Sequence, residues 1–185
     1  MDDLPGRGRA LENKFYGERD QELLAKLKAE LEGKESRDAL RSVSGIDNDE
    51  VLDKLAGAGV TPESLNAVSL IPLVSVAWCD NSMEATEKDA ILEAATSAGI
   101  AKESAASELL GSWLASRPGS DLLDAWKGYV GVLKEQLDET AYSQLKVSVI
   151  NRAEHIAEAA GGFFGLGSVS DKEKKAIAEL AAVFG

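Results

Sequence analysis

The sequence predicts an all-α fold, a multi-helix bundle of about eight or nine helices. Apolar residues recur at helical spacing through most of the 185 residues, and no convincing alternating stretch interrupts them. Helix-start signals and glycine stops punctuate that pattern at short intervals. The least polar run, Ala67–Cys79 (AVSLIPLVSVAWC), follows Thr61-Pro62-Glu63, which combines a hydroxyl N-cap, proline at the first helical position and an acid in the first turn. A segment without a polar face has to be enclosed by others, so this run is expected to be the central helix despite its β-branched residues.

The elements follow in order. Residues 1–9, with Pro5, Gly6 and Gly8, read as a mobile tail. A helical extension spans 10–45. Its long first helix, Ala10–Glu32, carries a narrow stripe from Leu11 to Leu31 and stops at Gly33, and a short helix covers Glu35–Val43. A helical domain then fills 46–185. Asp47 is the expected cap of a helix that turns Val51, Leu52 and Leu55 inward and ends at Gly59. Within the central run Pro72 cannot bond back to the Val68 carbonyl, so a kink is expected at Val68–Pro72. Trp78 should be largely buried against Ile91 and Ala95.

Further helices are expected over Glu84–Ala98, Lys102–Ser116 and Asp121–Gln136. Another starts at a cap on Asp138, and the last starts at Ser170, beyond the glycine-rich stretch Gly161–Gly167. Their inward faces centre on Ile91, Ala95 and Ala98; on Leu110, Trp113 and Leu114; on Leu122, Trp126 and Val130; on Val149, Ala153 and Ile156; and on Ile177, Leu180 and Phe184.

Composition narrows the function classes. The formal net charge is -12, which repels phosphate backbones and anionic lipid, so neither nucleic acid nor a membrane is the expected partner. Cations and basic protein surfaces fit better. One cysteine, Cys79, excludes an intrachain disulfide and suits the reducing cytoplasm. The opening MDDLPGRGRA has no apolar core of a signal peptide, and Ala67–Cys79 is too short and interrupted to span a bilayer. With one histidine, His155, zinc sites and Ser-His-Asp or Cys-His pairs are poorly supported, and His155 is expected to face solvent.

Two internal repeats stand out. Gly59-Val60-Thr61-Pro62-Glu63-Ser64 recurs as Gly99-Ile100-Ala101-Lys102-Glu103-Ser104. Met83–Ala95 also aligns without gaps to Val169–Ala181, sharing Glu87/Glu173, Lys88/Lys174, Ile91/Ile177, Glu93/Glu179 and Ala95/Ala181. An apolar helix, a tight turn and an amphipathic helix therefore form a unit used at least twice.

The first copy of that unit resembles the tellurite-resistance TerB family over Leu65–Ala98. The family motif is an Ala-Asp-Gly turn, a β-branched residue two positions after the glycine, and a glutamate four further on. Asp80, Met83 and Glu87 hold those positions, while Cys79 and Asn81 replace the small residue and the glycine. Asn81 tolerates the left-handed backbone the glycine would adopt. The second copy keeps Gly167 but has Leu166 in place of the aspartate. The resemblance implies a helical bundle of TerB-like hairpins and an acidic metal site, and it says little about activity. Separately, ALENKF at the start of the first helix resembles the opening of ATP synthase inhibitor (zeta-subunit-like) proteins.

Asp80, Asn81, Glu84 and Glu87 are the candidate site residues. In one reading they hold a divalent cation, Ca²⁺ or Mg²⁺, through carboxylates and turn oxygens. The spacing is not that of an EF-hand, since Ala85 and Ile91 stand where glycine and glutamate would be required. In the other reading Glu87 only caps its helix, as Glu173 does from Ser170, and spacing favours the cap. Cys79 lies at a helix C-terminal end, where a thiolate is disfavoured, so it reads as an inert packed thiol. The glycine-rich stretch lacks the strand and Lys-Ser/Thr of a phosphate loop. The resulting expectation is a non-enzymatic cytoplasmic protein, acting through an unidentified protein partner. Its alternatives are a carboxylate or metal-dependent enzyme and an interaction module built on the N-terminal helix.

Overall fold

The computed structural model describes residues 31–161 and 169–185, and every regular element among them is helical. Helix α1 covers 31–44 and α2 Asp49–Gly57. A 3₁₀ segment, Pro62–Leu70, runs into α3, Ile71–Ala77. Then come α4 (Ala85–Ser97), α5 (Ala105–Ala115), α6 (Ser120–Gln136), α7 (Glu139–Gly161) and α8 (Asp171–Val183). The all-α bundle read from the sequence is the fold observed. The predicted tail, residues 10–30 of the expected Ala10–Glu32 helix with its ALENKF run, and most of the glycine-rich stretch lie outside the described residues.

The central run is enclosed as its composition requires. Ala67, Val68, Leu70, Ile71, Leu73, Val74, Val76 and Ala77 are each at most 1% exposed. Helix α3 packs on α4, α6, α7, α8 and the 3₁₀ segment. It is not one helix with a kink, however. The run begins at Thr61-Pro62 as expected, winds as 3₁₀ to Leu70, and becomes α-helical only from Ile71. Pro72 supplies the reason. It has no N–H to offer Val68, and the Val68 carbonyl instead accepts from the Ile71 N–H. Pro72 thus falls in the first turn of α3, where a missing donor costs little.

Both repeats are structural. At the first, Gly59 N–H donates to the Ala56 carbonyl and Val60 N–H to Leu55. At the second, Gly99 donates to Thr96 and Ile100 to Ala95. Both glycines have positive φ, 83° and 80°, the left-handed helix stop that glycine adopts without a Cβ penalty. Val60 and Ile100 are both buried behind them. The copies then diverge, because Pro62 starts a 3₁₀ turn at once whereas Ser104 caps α5 by accepting the Ser107 N–H at 3.2 Å. The 3₁₀ segment and α5 pack on each other.

The second repeat relates α3–α4 to α7–α8. Helix α3 packs on α8 as α7 packs on α4, and α3 packs on α7. Exchanging the two hairpins leaves this pattern unchanged, so the repeated unit is paired with itself.

Four local expectations are corrected. Gly33 does not end a helix but lies inside α1, where it is exposed and flanked by good helix formers. Asn48, not Asp47, caps α2, its side chain accepting from the Val51 N–H at 3.1 Å. Ala98 is exposed, since α4 has ended by that point. Trp78 is only half-buried and turns toward α5, its indole N–H donating to the Trp113 carbonyl at 2.9 Å. That bond satisfies the one polar atom of the ring. Helix α1 also joins the bundle, through buried Leu40 and through Arg37–Asp53 (3.1 Å) and Arg41–Asp49 ion pairs to α2. No single described helix is long and apolar enough to cross a membrane.

Helices α2 and α6 approach closely at Gly128. A Cβ placed there would lie 2.6 Å from Cγ2 of Val51, whereas one at Gly131 on the same helix meets nothing within 4 Å. Val51 is buried and stiff at χ1, so it yields poorly. Alanine gains about 1 kcal/mol over glycine in a helix interior. At Gly128 overpacking of about 1–3 kcal/mol outweighs that gain. Gly131→Ala should therefore stabilise the chain and Gly128→Ala destabilise it in urea denaturation. Equal stabilisation by both would contradict the close approach.

Candidate functional site

The turn after α3 is built as its sequence suggests. Trp78 C-caps the helix, and its carbonyl accepts the Asn81 N–H at 3.1 Å. Asn81 adopts φ 73°, the only positive φ at a non-glycine among the described residues, in the position where the TerB motif has glycine. Asp80 then closes the turn with one oxygen: Oδ1 accepts both the Ser82 N–H (2.9 Å) and the Ser82 hydroxyl (2.7 Å). Those bonds hold the Asp80 carboxyl below its usual range.

Glu84 is the N-cap residue of α4, and its N–H donates to Oε2 of Glu87 at 2.8 Å. At the start of α8 the same bond recurs from Ser170 N–H to Glu173, with the Ser170 hydroxyl accepting the Glu173 N–H at 3.2 Å. Both glutamates are buried, Glu87 to 3% exposure and Glu173 to 7%. Together with Ser64 they are the buried polar side chains of the core among the described residues.

The paired hairpins bring the Glu173 carboxylate within electrostatic reach of Glu87. Burial pushes the Glu87 carboxyl up to about 7, with the charges of Glu173, Asp80 and Glu84 adding to the effect and the Glu84 N–H opposing it. Cys79 sits in the same field. Burial first, then Glu173, Asp80 and Glu87, raises its thiol to about 11, so it stays protonated as the sequence suggested. The end of α3 is thus flanked by one buried glutamate from each copy of the repeat.

Of the four residues singled out from the sequence, Glu84 and Glu87 are joined by a hydrogen bond. Asp80 acts on Glu87 through charge, and exposed Asn81 serves the backbone. Among the described residues no three His, Cys, Asp or Glu side chains converge as a ligand set. Glu173 was missing from that selection, although its alignment with Glu87 was the signal that could have found it. His155 is exposed on α7, as expected. No family model, curated protein or solved structure matches the chain.

A carboxyl raised from 4.5 to about 7 in the folded state makes folding prefer the proton. Its stabilising contribution is complete below about pH 4.5 and is lost as pH rises through about 7, a change on the order of 1–3 kcal/mol. Glu87→Gln keeps an oxygen for the Glu84 N–H and removes the titration. In denaturant titrations from pH 5 to 8 this variant should lose less stability than wild type and be the more stable protein at pH 8. Parallel loss in the two proteins would exclude Glu87 as the titrating group.

Proposed function

We propose that the chain is a non-enzymatic, TerB-like helical protein of the cytoplasm that acts by binding. In this reading it responds to a divalent cation at the acidic turn and works through a protein partner. The observation that carries the proposal is the buried Glu87 carboxyl in the field of Glu173 and Asp80, like charge that either a proton or a cation would relieve. The left-handed Asn81 where the family has glycine supports the TerB-like reading of the turn.

The donor set fits a weak site rather than a cage. Oδ1 of Asp80 is engaged by Ser82 and Oε2 of Glu87 by the Glu84 N–H, and three carboxylates do not converge among the described residues. Mg²⁺ suits such a place, because it keeps several waters and needs only one or two carboxylates. The acidic surface, net charge -12, favours a basic face on the partner.

Proton and cation compete for the same charge, so cation binding should stabilise the protein above pH 7 and fade below it. Binding at tenfold excess over Kd contributes about 1.4 kcal/mol, which is about 3–6 °C in Tm for a chain of this size. Wild type should melt higher in millimolar Mg²⁺ or Ca²⁺ than in chelator at pH 8 but not at pH 5.5. Asp80→Ala and Glu87→Gln should remove the difference. No shift in wild type at pH 8 would reduce the turn to a helix cap.

A further inference from the structure

A cavity of about 320 Å³ lies between α3 and the corner joining α5 to α6. Its apolar surface comes from the partly exposed Trp78, Pro118 and Leu123, with buried Ile71, Val74 and Leu122 behind them. The indole N–H of Trp78 is already given to the Trp113 carbonyl, so the ring offers this space an aromatic surface and no free donor. The polar lining is Ser75, Ser120 and three charged residues, Arg117, Lys127 and Asp124. Lys127 and Asp124 neutralise each other at 3.0 Å. Arg117 is exposed and has no hydrogen bond or ion pair among the described residues.

The cavity therefore carries one unmatched positive charge above an apolar floor, in a chain whose net charge is -12. Its larger neighbours differ. A cavity of about 580 Å³ between α2 and α6 has Asp47, Glu50, Asp124 and Glu135 against a single Lys54. One of about 790 Å³ beside it has Glu50, Asp53 and Asp121 against the same lysine. A free guanidinium presents a planar fork that matches a carboxylate with two parallel bonds. One cation suits one negative charge, and Asp124 disfavours a second. The volume is at the small end of ligand sites, and an apolar cavity with few polar groups is their usual form.

We propose that this cavity binds a small apolar monocarboxylate, with the carboxylate on Arg117 and the apolar body against Trp78, Pro118 and Leu123. The site is separate from the acidic turn and does not depend on the cation reading.

Octanoate serves as the probe, followed by calorimetry and by Trp fluorescence on the full chain. Wild type should bind it saturably, at one per chain, with a submillimolar Kd. Arg117→Ala should weaken binding at least tenfold with an unchanged Tm, because the side chain is exposed. Ser75→Phe, on the cavity wall, should block binding while leaving Arg117 in place. Octylamine, of the same length and opposite charge, should not saturate. The proposal is overturned by any of three results: octanoate that fails to saturate at millimolar concentration, equal affinity in Arg117→Ala, or octylamine binding as tightly as octanoate.

Discussion

The structure depends on the enclosure of an apolar run that has no face to give to water. The apolar residues between Ala67 and Ala77 are covered by α4, α5, α6, α7 and α8, with Ser69 left to solvent and Ser75 partly so, and the bundle is the arrangement that achieves this cover. Proline 72 fixes how the run is used. By withholding a donor it ends the 3₁₀ winding and starts α3, so the chain enters the core in one helical form and leaves it in another. The exit is the more consequential end. A helix buried this deeply has to be followed by a turn that satisfies its own polar groups, and Asp80, Asn81 and Ser82 do so within three residues.

Repetition turns that local solution into a feature of the whole fold. One glutamate at the start of an amphipathic helix is an ordinary cap whose carboxylate accepts a backbone N–H. Two hairpins packed against each other set two such caps beside the end of α3, where neither is well solvated. Burial and the second charge then raise the Glu87 carboxyl into the physiological range, although the hydrogen bond from Glu84 pulls the other way. Desolvation wins because the single hydrogen bond does not replace lost water around a group that is 3% exposed. The same field keeps Cys79 protonated and unreactive.

Much of this was legible in the sequence for physical reasons. Helix starts at Thr61-Pro62, Asp138 and Ser170 rest on bonds within three or four residues, and local signals report local bonds well. The left-handed Asn81 followed from its side-chain chemistry and its place in the motif. What stayed hidden depends on distant contacts. Trp78 could be placed on a buried helix, but its direction is set by the Trp113 carbonyl, 35 positions away. Asn48 and Asp47 are equivalent caps by type, and only the backbone chooses between them. Glu173 was visible as a cap and invisible as a neighbour of Glu87, because sequence alignment gives equivalence between repeats and not their docking. Gly33 misled because an exposed glycine in a helix costs only about 1 kcal/mol, which its neighbours can absorb.

The central claim is that repeat pairing places two buried glutamate caps within each other's field. Carboxyl ¹³C NMR of Glu87 across a pH titration tests it most directly, in wild type and in Glu173→Gln. The account predicts a midpoint near 7 in wild type and a lower one once the Glu173 charge is removed. A wild-type midpoint at the ordinary value for glutamate, or one that Glu173→Gln leaves unmoved, would contradict it.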